Sequence, residues 1–364
     1  MSDALQKTIT LLLLITLGLV LRSKFKNKEQ TNGIKEIVLS VALPSTIFIS
    51  LMKIEMDSTL FIIPLVTLVF NFLMYFSGPL AFSLFGIEKN SSTGRTLMML
   101  IPSLAPGLSC FPFIAEFLGE KSLAIAALAD VGNKFFVLIT LYLLAMNMFL
   151  KNSTDEETNT GGKIKSLLLS MVQEPINLLI IIAIILLSVN INYGTLPAVI
   201  TDIFDKTSAL MTPLVLIFIG LAVQLKDGKK GLVSSILLFR AGITMIISSG
   251  MIYVFHITEP SMMLLAIVVP LSSASFWPLA HISAFHAKEE AKALPKEKRT
   301  FDMELAVLML AFSLPFSTLL ILGILSTGTF FANPVILLFS GLALIAAAAV
   351  PGMVSKAYLR LSKA

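Results

Sequence analysis

The stretch PSLAPGLSCFP, Pro102 to Pro112, lies inside an apolar run long enough to cross a bilayer, yet it contains three prolines and a glycine. Proline lacks a backbone N–H and clashes with the preceding helical turn, so a continuous helix is disfavoured here. A second stretch of the same character, PLSSASFWP, runs from Pro270 to Pro278. We therefore predict two membrane-spanning segments that are each interrupted near half depth.

The composition of the chain places these stretches in a polytopic membrane protein. The 364 residues are 56% hydrophobic and only 13% charged, with a mean hydropathy of +0.90. About eleven stretches have the length of a membrane-spanning helix. They lie near residues 4–21, 34–52, 59–85, 96–118, 122–149, 165–189, 196–224, 232–256, 261–285, 303–325 and 330–354. The predicted class is an all-α polytopic membrane protein.

The chain has a net charge of +5, and the positions of its basic residues indicate its orientation in the membrane. Most Lys and Arg residues follow every second predicted span, as the positive-inside rule describes for cytoplasmic loops. The rule predicts an outside N-terminus and a cytoplasmic C-terminus, in a plasma or inner membrane. Membrane lipid is the expected environment, and a nucleic-acid partner is not expected.

A polar linker divides the chain into two halves with five predicted spans each. We predict a first five-helix repeat at 1–150, a cytoplasmic linker at 151–164, a second repeat at 165–325 and an additional C-terminal helix with a tail at 326–364. Two copies of an odd-span unit must insert with opposite orientations, as in many secondary transporters. Proline landmarks in the two halves are offset by 166 to 169 residues, which supports an inverted repeat.

Interrupted helices expose backbone amides and carbonyls, which are tolerated at this depth only inside protein or beside a water-filled cavity. Ser109 with Pro112, and Ser275 with Pro278, predict the starts of two half-helices that open toward the bilayer centre. Helix N-termini attract anions, and Arg240 lies deep enough in its span to join them. The alternative is a pair of ordinary proline kinks, but two breaks at matching positions favour a cavity.

Four ionisable residues are predicted candidates for ion coupling. Asp130 precedes Lys134 by four positions, so the two share a helix face and either neutralise each other or leave Asp130 to carry a proton. Glu174 and His281 are weaker candidates, and a lone His is more often a hydrogen-bonded packing residue. The three histidines and one cysteine form no cluster with metal-ligand spacing, and no phosphate-binding loop is found. We expect no metal, no cofactor and no enzymatic activity.

Several segments resemble the auxin efflux carrier family, which contains the plant PIN exporters and bacterial permeases. GLVLRSKF followed by LSVALPSTIFISL resembles the opening of that family. FPFIAEFLGEKSLAIAALADVGN, Phe111 to Asn133, is similar to its signature across the fourth and fifth spans. QEPINLLIIIAIILLSVNINYGTLP and TSALMTPLVLIFIGLAVQL are similar to the spans after its linker.

The resemblance implies an inverted ten-helix repeat in which the fourth and ninth helices break and cross, with the substrate between them. It also implies a transport domain that moves against a scaffold, and small organic anions such as carboxylates as substrates. The implied substrate-binding residues are Ala105, Pro106, Gly107, Ser109, Pro112, Asn133, Pro270, Ser272, Ser273 and Ser275, joined by Arg240. The eleventh span is additional to the family's ten, and its role is open between packing on the scaffold and a homodimer interface.

The sequence thus predicts a secondary transporter of a small organic anion that works by alternating access around the crossing of spans four and nine. The coupling ion is a proton, with Asp130 as its first candidate, or sodium, as in the related bile-acid symporter architecture. A ligand-binding sensor built on a transporter fold is the main alternative, and an intramembrane enzyme is a third.

Overall fold

The computed structural model describes residues 3–25, 27–53, 58–152, 160–222 and 230–361. Seventeen α-helices lie in these residues. The first eight are α1 Asp3–Leu21, α2 Lys28–Ile37, α3 Leu43–Met52, α4 Ile63–Phe85, α5 Ser92–Leu100, α6 Pro106–Ser109, α7 Phe111–Phe135 and α8 Leu141–Asn152. The others are α9 Thr160–Gln173, α10 Pro175–Ser188, α11 Ala198–Ser208, α12 Met211–Ala222, α13 Lys230–Val254, α14 Pro260–Val268, α15 Phe276–Ala291, α16 Met303–Ser326 and α17 Pro334–Leu361.

The protein is an all-α polytopic membrane protein, as predicted. In the part of the chain that the structure describes, six helical stretches are long and apolar enough to cross a membrane: Glu29–Met52, Leu60–Phe85, Phe111–Asn152, Ala198–Ala222, Gly231–Val254 and Met303–Ser326. The pair Ile164–Gln173 and Pro175–Ser188 is bent by 66° and would make a seventh if its two helices cross together. Two shorter apolar helices, Leu5–Leu21 and Pro334–Val350, correspond to the first and last predicted spans.

Both predicted interruptions are confirmed. Helix α5 ends at Leu100 and α6 begins at Pro106, while α14 ends at Val268 and α15 begins at Phe276. The second half of the fourth span ends at Gly119, whose φ of +81° turns the chain before the fifth span continues in the same helical stretch. Glycine adopts this backbone conformation without the steric cost that a Cβ would add.

One predicted half-helix start needs correction. The helix after the first break begins at Pro106, because proline suits the first turn of a helix, so Ser109 lies inside that turn. Ser275 does precede α15, and its hydroxyl accepts the Trp277 N–H at 3.3 Å. The linker at 151–164 stays a prediction: α8 ends at Asn152 and α9 begins at Thr160. Residues 153–159 of that linker lie outside the described residues.

Apart from α9, which contacts α10 and the segment between α7 and α8, the described helices pack into two groups. Bundle one, as we call it, contains α1–α3 and α10–α12, in which α1 packs along α12 and α3 packs against α10 and α11. Bundle two contains α4–α8 and α13–α17, in which α4 packs on α7 and α13 packs on α16 and α17. Each bundle draws helices from both predicted sequence halves, and both breaks lie in bundle two. The inverted relation of the halves stays a prediction.

The additional helix α17 packs along α13, the helix that carries Arg240. The two backbones approach closely where Gly242 faces Gly341, because a Cβ on Gly242 would lie 2.6 Å from the Gly341 carbonyl oxygen. Ser249 adds a hydrogen bond of 2.7 Å from its hydroxyl to the Pro334 carbonyl oxygen. Small residues at membrane helix contacts permit this spacing. The eleventh helix is therefore part of bundle two.

We expect Gly242→Ala to lower the apparent melting temperature of the purified protein by several degrees. The added methyl group meets backbone atoms, and overpacking of this kind costs about 1–3 kcal/mol. Gly250→Ala on the same helix is the matched control, because nothing lies within 4 Å of its Cβ position. Alanine there is expected to stabilise slightly, by roughly 0.5–1 kcal/mol, since Gly is the poorer helix former. Equal melting temperatures for the two variants would contradict the close approach.

Candidate functional site

The two interrupted segments lie directly against each other. The Ala105 N–H donates to the Ser273 carbonyl oxygen at 2.9 Å, and the two residues form an antiparallel β-bridge. The Ser273 N–H donates to the Ser109 hydroxyl at 2.9 Å, and the Ser275 N–H donates to the Ser103 hydroxyl at 3.2 Å. Each break therefore satisfies backbone groups that the other leaves unpaired. We call this contact the crossover, formed by residues 101–109 and 269–275.

Arg240 ties the two breaks together from α13. Its guanidinium donates to the carbonyl oxygens of Ile101 at 3.0 Å, Ser103 at 2.7 Å and Ser272 at 2.8 Å. The residue is only 2% exposed. The carbonyl oxygens freed by the breaks thus receive charge-assisted hydrogen bonds from one cation. This geometry is consistent with the predicted position of Arg240 at the crossover. The N–H groups of Arg240, however, donate to backbone carbonyl oxygens.

Of the serines predicted as substrate ligands, Ser109 forms hydrogen bonds within the crossover. The Ser109 hydroxyl donates to the Ala105 carbonyl oxygen at 2.8 Å while it accepts from Ser273. Ser109 and Ser272 are fully buried, and Ser273 and Ser275 are nearly so. The Ser272 hydroxyl has no hydrogen-bond partner among the residues described, which marks an unfilled polar position beside the Arg240 contact.

The edge of the crossover that faces bundle one is more open. Ala105 and Gly107 are partly exposed, whereas Pro106 is buried between them. A Cβ on Gly107 would lie 3.1 Å from the Leu43 side chain of bundle one. Of the other predicted ligands, Pro112 is buried in the first turn of α7, and Pro270 lies buried in the second break. A substrate at the crossover would thus lie between the two bundles.

Three of the four predicted coupling residues form one cluster. Lys134 Nζ lies 3.4 Å from Asp130 Oδ2 and 3.0 Å from Glu174 Oε2. Nζ also donates to Asn177 Oδ1 at 3.2 Å, and Asn177 donates to the Met171 carbonyl oxygen at 2.7 Å. When all three ionisable groups are charged, two carboxylates share one ammonium, so the cluster carries an excess negative charge within the membrane-spanning region.

The cluster spans the boundary between the bundles and reaches the crossover. Asp130 and Lys134 lie on α7 of bundle two, and Glu174 lies at the bend that precedes α10 of bundle one. Asn133 makes the connection: its Nδ2 donates to Asp130 Oδ1 at 2.8 Å and to the Leu104 carbonyl oxygen at 2.9 Å. The predicted substrate ligand Asn133 thus links the carboxylate to the first break.

Asn71 was not predicted, and it completes this network from α4. Its Nδ2 donates to Asn133 Oδ1 at 3.0 Å, while its own Oδ1 is buried without a hydrogen-bond partner in the described part of the chain. A polar residue in an otherwise apolar span was the signal that could have revealed Asn71, since such residues usually have a structural or functional partner.

His281 lies outside the cluster. Its Nε2 is 2.9 Å from the Val137 carbonyl oxygen, and its ring packs edge-on against Tyr142 with centroids 5.5 Å apart. Val137 belongs to a π-helical segment, Phe136–Thr140, that follows α7 and leaves such carbonyls free for other partners. His281 thus fits the alternative interpretation of a hydrogen-bonded packing residue.

Two lysines of bundle one contact the turn at the end of the broken fourth span. Lys7 Nζ donates to the Glu116 carbonyl oxygen at 3.0 Å, and Lys53 Nζ lies 2.9 Å from Glu120 Oε1. A cavity of about 320 Å³ lies beside the first contact, lined by Gln6, Lys7, Thr10, Leu11, Leu14, Glu116 and Thr212. These contacts join α1 and the end of α3 in bundle one to the end of the broken fourth span.

The fold and these features define a transporter-like integral membrane protein. No family model matches the chain. The chain is similar to a protein of Methanocaldococcus jannaschii named "Uncharacterized transporter MJ1031", with 25% identity over 228 residues. The match covers 60% of this chain and 70% of that protein.

Proposed function

We propose that the protein is a secondary active transporter of a small organic anion such as a carboxylate, related to the auxin efflux carrier family. Bundle two moves against bundle one and exposes the crossover alternately to the two sides of the membrane. The N-terminus lies outside and the C-terminus in the cytoplasm of a plasma or inner membrane, which the distribution of Lys and Arg supports. No enzymatic activity is proposed.

The observation that carries this proposal is the crossover itself. Two broken helices exchange hydrogen bonds through Ala105 and Ser273, and a buried arginine holds their carbonyl oxygens. Non-helical backbone at membrane depth is typical of transporter binding sites, where half-helix amide ends attract anionic groups. Inverted five-helix repeats would place two such breaks at matching positions, as the proline landmarks indicate.

A proton is the coupling ion that the cluster favours. Asp130 and Glu174 share Lys134, and binding of one proton would neutralise their excess charge before the bundles move. Sodium at the breaks would require oxygen ligands, but three of the carbonyl oxygens there already accept from Arg240. The cluster also joins the two bundles, so its charge state can bias their relative position.

Counterflow in proteoliposomes tests this proposal against a ligand-binding sensor. Vesicles that contain purified protein are loaded with unlabelled acetate, succinate or benzoate and diluted into the labelled compound. A transporter accumulates label transiently above the level of empty vesicles. Saturable binding without counterflow would instead support the sensor, and neither binding nor counterflow with any of the three anions would contradict the carboxylate proposal.

A further inference from the structure

Lys35 of bundle one lies near the polar start of a long helical stretch. It is six positions after the first residue of Glu29–Met52, about 9 Å along the helix axis. Its ammonium lies 5.4 Å from the ring centroid of Phe276. Phe276 is the first residue of α15 and follows Ser275, the last residue of the crossover. A cation of bundle one thus lies beside the residue that follows the crossover.

The ammonium of Lys35 lies within ion-pair distance of no carboxylate among the residues that the structure describes. The other two cations near the crossover are occupied: Arg240 donates to three carbonyl oxygens, and Lys134 contacts Asp130 and Glu174. An anion at the crossover would find these two cations already paired. Lys35 differs from these two cations because its described contact is with the aromatic ring of Phe276.

The contact with the Phe276 ring positions the Lys35 ammonium but does not use its N–H groups as hydrogen-bond donors. A cation over an aromatic face gains little free energy at an exposed site, and Phe276 is 52% exposed. A charge-assisted hydrogen bond to a carboxylate is stronger and uses N–H donors that the ring does not occupy. The unpartnered, fully buried hydroxyl of Ser272 lies four positions before Phe276 and supplies a second polar group on the same break.

We propose that Lys35 is the cation that binds the substrate carboxylate, at the boundary between bundle one and the start of α15. This inference rests on the proposed function, since it concerns the anion that the crossover accepts. Lys35 belongs to bundle one and Phe276 to bundle two, so the anion contacts both bundles. Movement of bundle two carries the start of α15 away from Lys35 and breaks that pairing.

Binding of benzoate to the purified full-length protein tests the assignment, with neutral benzamide as the ligand control. We expect Lys35→Gln to weaken benzoate binding about tenfold or more, because a charged partner is lost. Lys35→Arg keeps the positive charge and is expected to remain within about threefold of wild type. Lys24→Gln is the matched control: it removes an exposed charge near the same end of the protein and leaves benzoate affinity unchanged.

Melting temperatures without ligand show that each variant is folded, and calorimetry gives the affinities. Wild-type affinity in Lys35→Gln, or equal losses in Lys35→Gln and Lys24→Gln, would overturn the assignment of Lys35 and leave the transporter proposal standing. If wild-type protein binds none of acetate, succinate and benzoate, the proposed function fails and this assignment fails with it. Weaker benzoate binding in Lys35→Gln alone supports it.

Discussion

Arg240→Gln is expected to lower the apparent melting temperature more than any other substitution proposed for this protein. Three carbonyl oxygens of the crossover lose their hydrogen-bond donor. The side-chain amide of Gln can supply only some of the lost hydrogen bonds. Hydrogen bonds to a charged group contribute roughly 1.5–3 kcal/mol each, and a buried acceptor left unpaired carries a further cost. The acceptor residues Ile101, Ser103 and Ser272 are all fully buried. We therefore expect a loss of about 5 °C or more, with a lower folded yield.

Arg95→Gln is the matched control for this prediction. Arg95 also donates to backbone carbonyl oxygens, those of Thr300 and Asn90, but at a partly exposed helix start where water can replace it. Size-exclusion profiles and thermal melts in detergent compare the two variants. Equal melting temperatures for wild type and Arg240→Gln would contradict the structural role. Full anion affinity in the folded Arg240→Gln protein would remove Arg240 from the substrate site while leaving that structural role intact.

Asp130→Asn is expected to abolish the dependence of carboxylate counterflow on pH. In the wild type, one excess negative charge must be neutralised by a proton, so counterflow should slow as the pH rises, by up to about tenfold per pH unit. Asp130 contacts Lys134 and Asn133 on its own helix, and Lys134 also contacts Glu174 from the bend before α10. In the Asp130→Asn variant, Lys134 and Glu174 form a neutral pair and no proton is required.

Counterflow of benzoate between about pH 6 and 8 measures this effect. Lys134 keeps its contacts with Glu174 and Asn177 in the variant, so it is not left as an unpaired buried charge. Glu120→Gln is the control, since that carboxylate pairs with Lys53 outside the cluster and its loss should preserve the pH profile. A wild-type pH profile in Asp130→Asn would dismiss the coupling role of Asp130.

The sequence predicts the helical class and both breaks because their signals are local. Proline cannot continue a helix, and the apolar runs around Pro102 and Pro270 exceed the length of a bilayer crossing. The i,i+4 spacing of Asp130 and Lys134 predicts their shared face for the same reason. Such features depend on a few neighbouring residues and on the membrane, so no tertiary information is required.

The contacts across the bundles could not be predicted in this way. Glu174 reaches Lys134 because a bend of 66° between α9 and α10 places it there, and no local pattern fixes that angle. The donors of Arg240 are directed at carbonyl oxygens from two segments far apart in sequence, which its depth alone does not reveal. Lys35 lies near the polar start of its helix, and no local pattern reveals its contact with Phe276 of bundle two.

The proposed transport requires the two bundles to move relative to each other, and a reversible cross-link tests that movement. Cysteines replace Lys53 and Glu120, whose charged groups lie 2.9 Å apart across the bundle boundary, and a reducible bismaleimide links them. The control links cysteines at Tyr193 and Asp205, which form a hydrogen bond of 2.8 Å between the 3₁₀ segment Tyr193–Thr195 and α11 of bundle one. Counterflow of benzoate is measured before linking, after linking and after reduction.

We predict that the link between positions 53 and 120 stops counterflow, that reduction restores it, and that the link between positions 193 and 205 has no effect. Counterflow at the unlinked rate while positions 53 and 120 remain joined would show that transport does not require this movement.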